Sequence, residues 1–170
     1  MKSSLTLLIL TLIIAASACR PQAHIDLQSP HPPDVYTIEA RFDRIVVVRL
    51  KYRDDMLEGL KKAVKKENIK NAVILSGIGS LTDYHFHTVT TRTYPPNTVY
   101  VKDDVTTDLL NVNGYVINGR IHAHITFSTE KKALGGHLEP GTIVYTFAII
   151  TLGVLPDDTN LQRIDDYNWY

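Results

Sequence analysis

The sequence predicts an α/β domain of the α+β type: a mixed, mainly antiparallel β-sheet flanked by one or two helices. Three observations predict it. Runs rich in β-branched and aromatic residues outnumber stretches with helical periodicity. Asn118-Gly119 separates two such runs, the strongest short signal for a tight hairpin. A single segment, Asp55 to about Glu67, carries a clear amphipathic helical stripe. Strands joined by short turns and covered by few helices make a layered domain, not a bundle.

Each element follows from its residues. Ile45 to Tyr52 opens as a β-branched run and ends alternating, so it is a strand. Asp54 or Asp55 can cap the helix, whose apolar stripe is Met56, Leu60, Ala63 and Val64. Lys61, Lys62, Lys65 and Lys66 crowd its C-terminal half, where the helix dipole favours cations, and read as a solvated helix end. Asn68 to Asn71 form a turn before a second strand, Ala72 to Ile78. Gly77 and Gly79 read as a bulge or a tight turn leading to a third strand, Leu81 to Thr91. Tyr94-Pro95-Pro96-Asn97 breaks that strand and leaves a loop. Leu109 to Ile117 and Arg120 to Phe127 form the hairpin, and Glu130-Lys131-Lys132 makes another turn. Thr142 to Leu152 is nearly all apolar, which predicts a strand buried on both faces by helix or partner.

Charge and cysteine content narrow the function classes. The chain has 18 Lys+Arg against 18 Asp+Glu, which argues against a dedicated nucleic-acid binder. One cysteine excludes an internal disulfide framework and a Cys-rich zinc module. Lys2 precedes an apolar run from Leu5 to Ala18. At about 1.5 Å per residue that run is too short for a bilayer core of about 30 Å. It predicts a signal peptide over residues 1–18. Its end, Ala16-Ser17-Ala18-Cys19, resembles a bacterial lipobox, with Ala16 where Leu is usual. That resemblance implies a lipid on Cys19 and a lipoprotein of the bacterial cell envelope, facing periplasm or cell exterior. Residues 19–40, with Pro21, Pro30, Pro32 and Pro33, read as a tether. Residues 41–155 then form the domain, and 156–170 a polar tail with Tyr167, Trp169 and Tyr170.

Gly77-Ile78-Gly79-Ser80-Leu81-Thr82 starts like a dinucleotide fingerprint but has Thr at the third glycine position and no helix after it. The chemical signal lies instead in the histidines. Five of seven fall between 85 and 137, as His85/His87, His122/His124 and Gly135-Gly136-His137. Residues two apart in a strand share a face, so His122 and His124 can meet one cation. His137 is the natural third ligand, because Gly135-Gly136 let the backbone bend sharply beside the sheet. The expected cofactor is a divalent transition metal, zinc first. His85 and His87 also share a face and, with Asp108, form a possible secondary site. Asp83, Asp108, Glu130 and Glu139 are candidate acids or bases, and spacing does not select among them.

From Arg44 to about Asp165 the sequence resembles the PPC (plants and prokaryotes conserved) domain, also called the domain of unknown function 296. The resemblance rests on IVVVRLKYRDDMLEGLKKAV at 45–64 and AVILSGIGSLTDYHF at 72–86. It is most specific in Asp108 to Gly114, Arg120-Ile-His-Ala-His124, Leu134-Gly-Gly-His-Leu138 and Gly141 to Thr146. Arg163-Ile-Asp165 looks like the closing segment. The resemblance implies a mainly antiparallel fold, a homotrimer, and a histidine cluster proposed to bind metal at His122, His124 and His137. In plants the domain accompanies AT-hook motifs, and bacterial members carry a DNA-binding label by that association. Two departures stand out: Asp108 where Glu is usual, and Ile149 where the family tends to have a carboxylate. No Arg-Gly-Arg core is present. The expected function is an exported, lipid-anchored, trimeric metal-binding domain, with a small-molecule ligand or a metal-dependent activity and no nucleic acid. The alternatives are a non-enzymatic oligomeric interaction module and a DNA-associated regulator.

Overall fold

The structure is a computed structural model that describes His31, Pro33 and residues 35–166. The expected signal peptide, the lipidation site Cys19, most of the tether and Tyr167, Trp169 and Tyr170 lie outside the described residues.

Among the described residues the order is β1 (Arg44–Lys51), α1 (Met56–Lys66), β2 (Ala72–Val89), β3 (Thr98–Asp103), β4 (Thr107–Ile117), β5 (Arg120–Ser128), β6 (Ala133–Leu138) and β7 (Ile143–Val154). The strands form one sheet in the order β1-β7-β2-β4-β5-β6, with β3 paired to β2. Every pairing of these strands is antiparallel, so the expected mixed sheet has no parallel pair here. An extra β2–β6 pairing at Phe86↔Leu138 and His87↔His137 closes β2, β4, β5 and β6 into a ring.

Asp55 joins the helix to the sheet. Its Oδ1 accepts the Glu58 N–H at 3.0 Å as the N-cap, and its Oδ2 accepts the Gly141 N–H at 2.6 Å. The helix buries Met56, Leu57, Leu60 and Val64 in one cluster with Leu50, Phe127, Val144 and Ile150. Full burial of a side chain such as Leu60 contributes about 1.5–3 kcal/mol. A smaller cluster of Ile117, Leu155 and Leu161, with Ile38 and Val73, anchors the chain after β7. Buried Asn71 reinforces it: its amide donates to the Thr159 carbonyl at 2.9 Å and accepts the Asn118 N–H at 3.0 Å. Asn118 and Gly119 both take positive φ, 50° and 77°, as the hairpin turn requires.

The structure corrects three expectations. The two strands expected on either side of Gly77 and Gly79 are one strand, β2; of the two readings of those glycines the bulge holds and the turn does not, with register shifts between Ile74/Ser76, Gly79/Leu81 and Leu81/Asp83. Part of the expected loop is a strand, because Val99 and Val101 of β3 alternate against Thr88 and Phe86. The predicted bend at Gly135-Gly136 is the middle of strand β6. Those glycines serve close approach. A Cβ on Gly135 would lie 2.4 Å from the Ile125 carbonyl oxygen, and one on Gly136 would lie 2.5 Å from that of His87. Within one chain β7 buries Val144, Ala148, Ile150 and Leu152 and leaves Tyr145 and Phe147 exposed, the face a partner would have to cover.

A Gly136→Ala substitution should therefore force β6 away from β2. The expected loss is about 1–3 kcal/mol of unfolding free energy, read from the urea midpoint. An unchanged midpoint would mean that the strands can separate without strain.

Candidate metal centre

The site is built on the outward faces of β5 and β6. Along β5 the side chains of Ala123, Ile125 and Phe127 are buried while His122 and His124 point away from the core. The register places His124 opposite His137 of β6, and His137 opposite His87 of β2. Three imidazoles thus stand in one row across three strands, with His122 two residues along.

The geometry suits a cation. Nε2 of His122 and Nε2 of His124 are 3.3 Å apart. Two nitrogens bound to one tetrahedral ion at about 2.0–2.1 Å would be separated by about 3.3–3.4 Å. His122, His124 and His137 each offer one ring nitrogen within 4.8 Å of the others. On its far side, His122 Nδ1 donates to Asp165 Oδ2 at 3.0 Å, and the same oxygen accepts Arg120 at 2.6 Å. In the neutral ring this leaves the His122 Nε2 lone pair facing His124, the tautomer a metal ligand needs.

Electrostatics disfavour the charged form of His137 and His124. Burial pushes the His137 pKa down to about 4, helped by the neighbouring charges of His122, His87 and His124. Burial first, then His122 and His87, also lower that of His124. Burial alone would raise Asp165, but its hydrogen bonds from His122 and Arg120 outweigh this and hold its carboxyl below the usual range.

The other sequence candidates divide. His87 joins the row, stacked on His137 with centroids 4.5 Å apart, and its Nδ1 lies 2.6 Å from Glu139 Oε1. Glu139 is thereby distinguished among the candidate carboxylates. His85 Nδ1 donates to the Pro140 carbonyl at 2.7 Å. Asp108 stands apart: it pairs with Ser80 and Ser128, four residues along β5 from His124 or about 13 Å. Glu130 lies in the turn after β5. Asp83 accepts the Thr82 hydroxyl at 2.6 Å. Sequence reasoning gave no role to Asp165 or Arg120; the quoted Arg163-Ile-Asp165 segment was the one signal for Asp165.

A cleft of about 260 Å³ opens beside the ligand group, lined by Asn113, Tyr115, Ile117, Ile164, His122 and His124 among others. His122, His124 and Asp165 form part of its wall.

The pKa pattern fixes a pH dependence for metal-free protein. The unfolded state gains a proton on His137 near pH 6.5, whereas the folded state resists until about pH 4. Stability therefore falls as pH drops from 6.5 towards 4, and this contribution levels off below that. His137→Asn should flatten the slope of the urea midpoint across this window in EDTA. An equal slope in both proteins would assign the loss to other groups.

Comparison with known proteins follows the same lines. The family model of the Plants and Prokaryotes Conserved (PCC) domain matches residues 37–156. A metal-containing protein from Archaeoglobus fulgidus superposes with a TM-score of 0.65 at 17% identity, covering 79% of this chain and 95% of that one. A plant- and prokaryote-conserved protein from Pyrococcus horikoshii gives 0.64 at 22% identity, with 79% and 94% covered. A protein from Bacteroides thetaiotaomicron, described as a candidate DNA-binding protein, gives 0.58 at 18%, with 67% and 80% covered. At these identities the likeness is one of fold. The bifunctional protein GlmU of a Synechococcus strain is 24% identical over 149 residues, 86% of this chain. The chain spans only 23% of that relative's length, so the match carries no activity across. With 120 of its 170 residues inside the family model, this chain belongs to the Plants and Prokaryotes Conserved domain family, known also as PPC.

Proposed function

We propose that the protein is an exported, lipid-anchored, trimeric domain that binds a divalent transition metal, zinc first, through His122, His124 and His137. The carrying observation is the 3.3 Å separation of the His122 and His124 nitrogens, with His137 in reach and Asp165 behind His122. A bound ion would supply Lewis acidity and lower the pKa of a bound water, which suits hydrolysis or hydration of a small molecule. The chain's residues do the rest in this reading. Asp165 holds the His122 tautomer, burial keeps His137 deprotonated, and the cleft by Tyr115 and Ile164 takes the ligand's apolar part. The description of the Archaeoglobus relative as metal-containing points the same way.

Trimer formation in this reading uses the exposed apolar residues Ile45, Val47, Ile78, Leu110 and Phe147, which a second copy would cover. Envelope attachment in this reading rests on Cys19 at the end of the apolar run 5–18. A DNA-associated regulator is the second reading, favoured by the description of the Bacteroides relative. The balanced charge and the lack of an Arg-Gly-Arg core count against it. A non-enzymatic interaction module is the third, in which the histidines serve structure alone.

Elemental analysis after zinc reconstitution tests the proposal. Wild type should retain at least about one equivalent per chain, and the His122→Ala/His124→Ala/His137→Ala variant should lose it. Asp165→Asn should weaken affinity about 10- to 100-fold while keeping the ligands. Retention below about a tenth of an equivalent in wild type would falsify the metal reading.

A further inference from the structure

The patch around His137 holds more donor atoms than one ion uses. Its first row is His87, His137 and His124, in register across β2, β6 and β5. One strand position pair further along the same face lie His85 and His122, with Glu139 between their strands, its N–H donating to the His85 carbonyl at 3.0 Å. Five imidazoles and one carboxylate therefore share a surface three strands wide. A four-coordinate ion in the group already described takes three imidazoles and a water. His85 is committed to the Pro140 carbonyl through Nδ1. His87 and Glu139 are left: His87 on β2, across His137 from His124 on β5, and Glu139 two residues after His137, just past the end of β6, with its carboxylate turned to His87.

Those two are hydrogen-bonded to each other beside His137. His87 Nδ1 and Glu139 Oε1 are 2.6 Å apart, with side chains 23% and 20% exposed. Together with His137 each offers one donor atom, all within 4.8 Å of one another. The backbone at Glu139 is fixed beside His85, because the one hydroxyl proton of fully buried Thr142 is shared between the carbonyls of His85 at 2.9 Å and Glu139 at 3.2 Å. Two nitrogens and a carboxylate oxygen form a mixed donor set that suits zinc, cobalt, manganese or ferrous iron.

We propose a second divalent-cation position held by His87, His137 and Glu139. It rests on the three-histidine reading in one respect: His137 serves both positions. An imidazole has two ring nitrogens, so one ring can face an ion on each flank, its remaining N–H proton leaving to solvent when the second ion binds. The first position is all imidazole; the second carries a negative charge of its own.

Equilibrium dialysis of the full chain against cobalt(II), followed by elemental analysis, tests this, with near-UV circular dichroism reporting the fold. Wild type should bind about two equivalents, and His87→Asn and Glu139→Gln about one each. His122→Ala/His124→Ala should also keep about one, and His137→Ala none. Glu139→Gln preserves shape, so it decides the matter if His87→Asn unfolds. If both variants hold as much cobalt as wild type, the second position is rejected; loss on His122→Ala/His124→Ala would still uphold the first. If the double alanine variant keeps wild-type cobalt while Glu139→Gln loses it, the three-histidine reading fails and the second position stands. No binding by wild type rejects both.

Discussion

Close approach of β6 to its two neighbours is the constraint on which the site depends. Gly135 lies against the Ile125 carbonyl on β5 and Gly136 against the His87 carbonyl on β2, at separations that leave no room for a Cβ. With the strands this close, β6 bridges β5 and β2, and the ring of β2, β4, β5 and β6 closes. His137 follows immediately and is set between His124 and His87 by register. The glycines and the histidine act as one unit: the first two set the spacing, and the third stands in the gap it creates.

Around that row the sheet disfavours the charged imidazole at His137 and His124. Crowded rings under partial burial repel a second proton, and His137 at about pKa 4 feels this most. Carboxylates sit at the rim: Asp165 behind His122 and Glu139 beside His87. Asp165 arrives there because Leu161 is buried with Ile117 and Leu155, while Asn71 and Lys70 tie down the Thr159 and Asp157 carbonyls. Core packing far from the histidines thus decides the tautomer of one of them.

Much of this was legible in the sequence, for local reasons. Asn118-Gly119 announces its turn because few other pairs accept positive φ twice, and the helix announces itself through Asp55 and its stripe. The i, i+2 spacing of His122 and His124 puts both on one face whatever the register. Other features depend on long-range pairing and left no local trace. Gly135-Gly136 reads as a bend when seen alone, because only the neighbouring strands show why a Cβ is excluded. The role of Asp165 spans 43 positions to His122 and exists only once the tail has packed. Likewise, β3 is too short and too polar at its ends to stand out, and it is recognisable through its partner β2. The expected grouping of Asp108 with His85 and His87 rested on no shared register, and pairing sets Asp108 opposite Ser80 and Ser128, at the far end of β5 from the histidines.

The most direct measurement is X-ray absorption at the metal edge of zinc-reconstituted full-length protein. The account predicts a first shell of imidazole nitrogens at about 2.0–2.1 Å, at least three per ion in the His122/His124/His137 position, with the multiple-scattering signature of histidine rings. A first shell of oxygen alone, as from adventitious surface carboxylates and water, would contradict it.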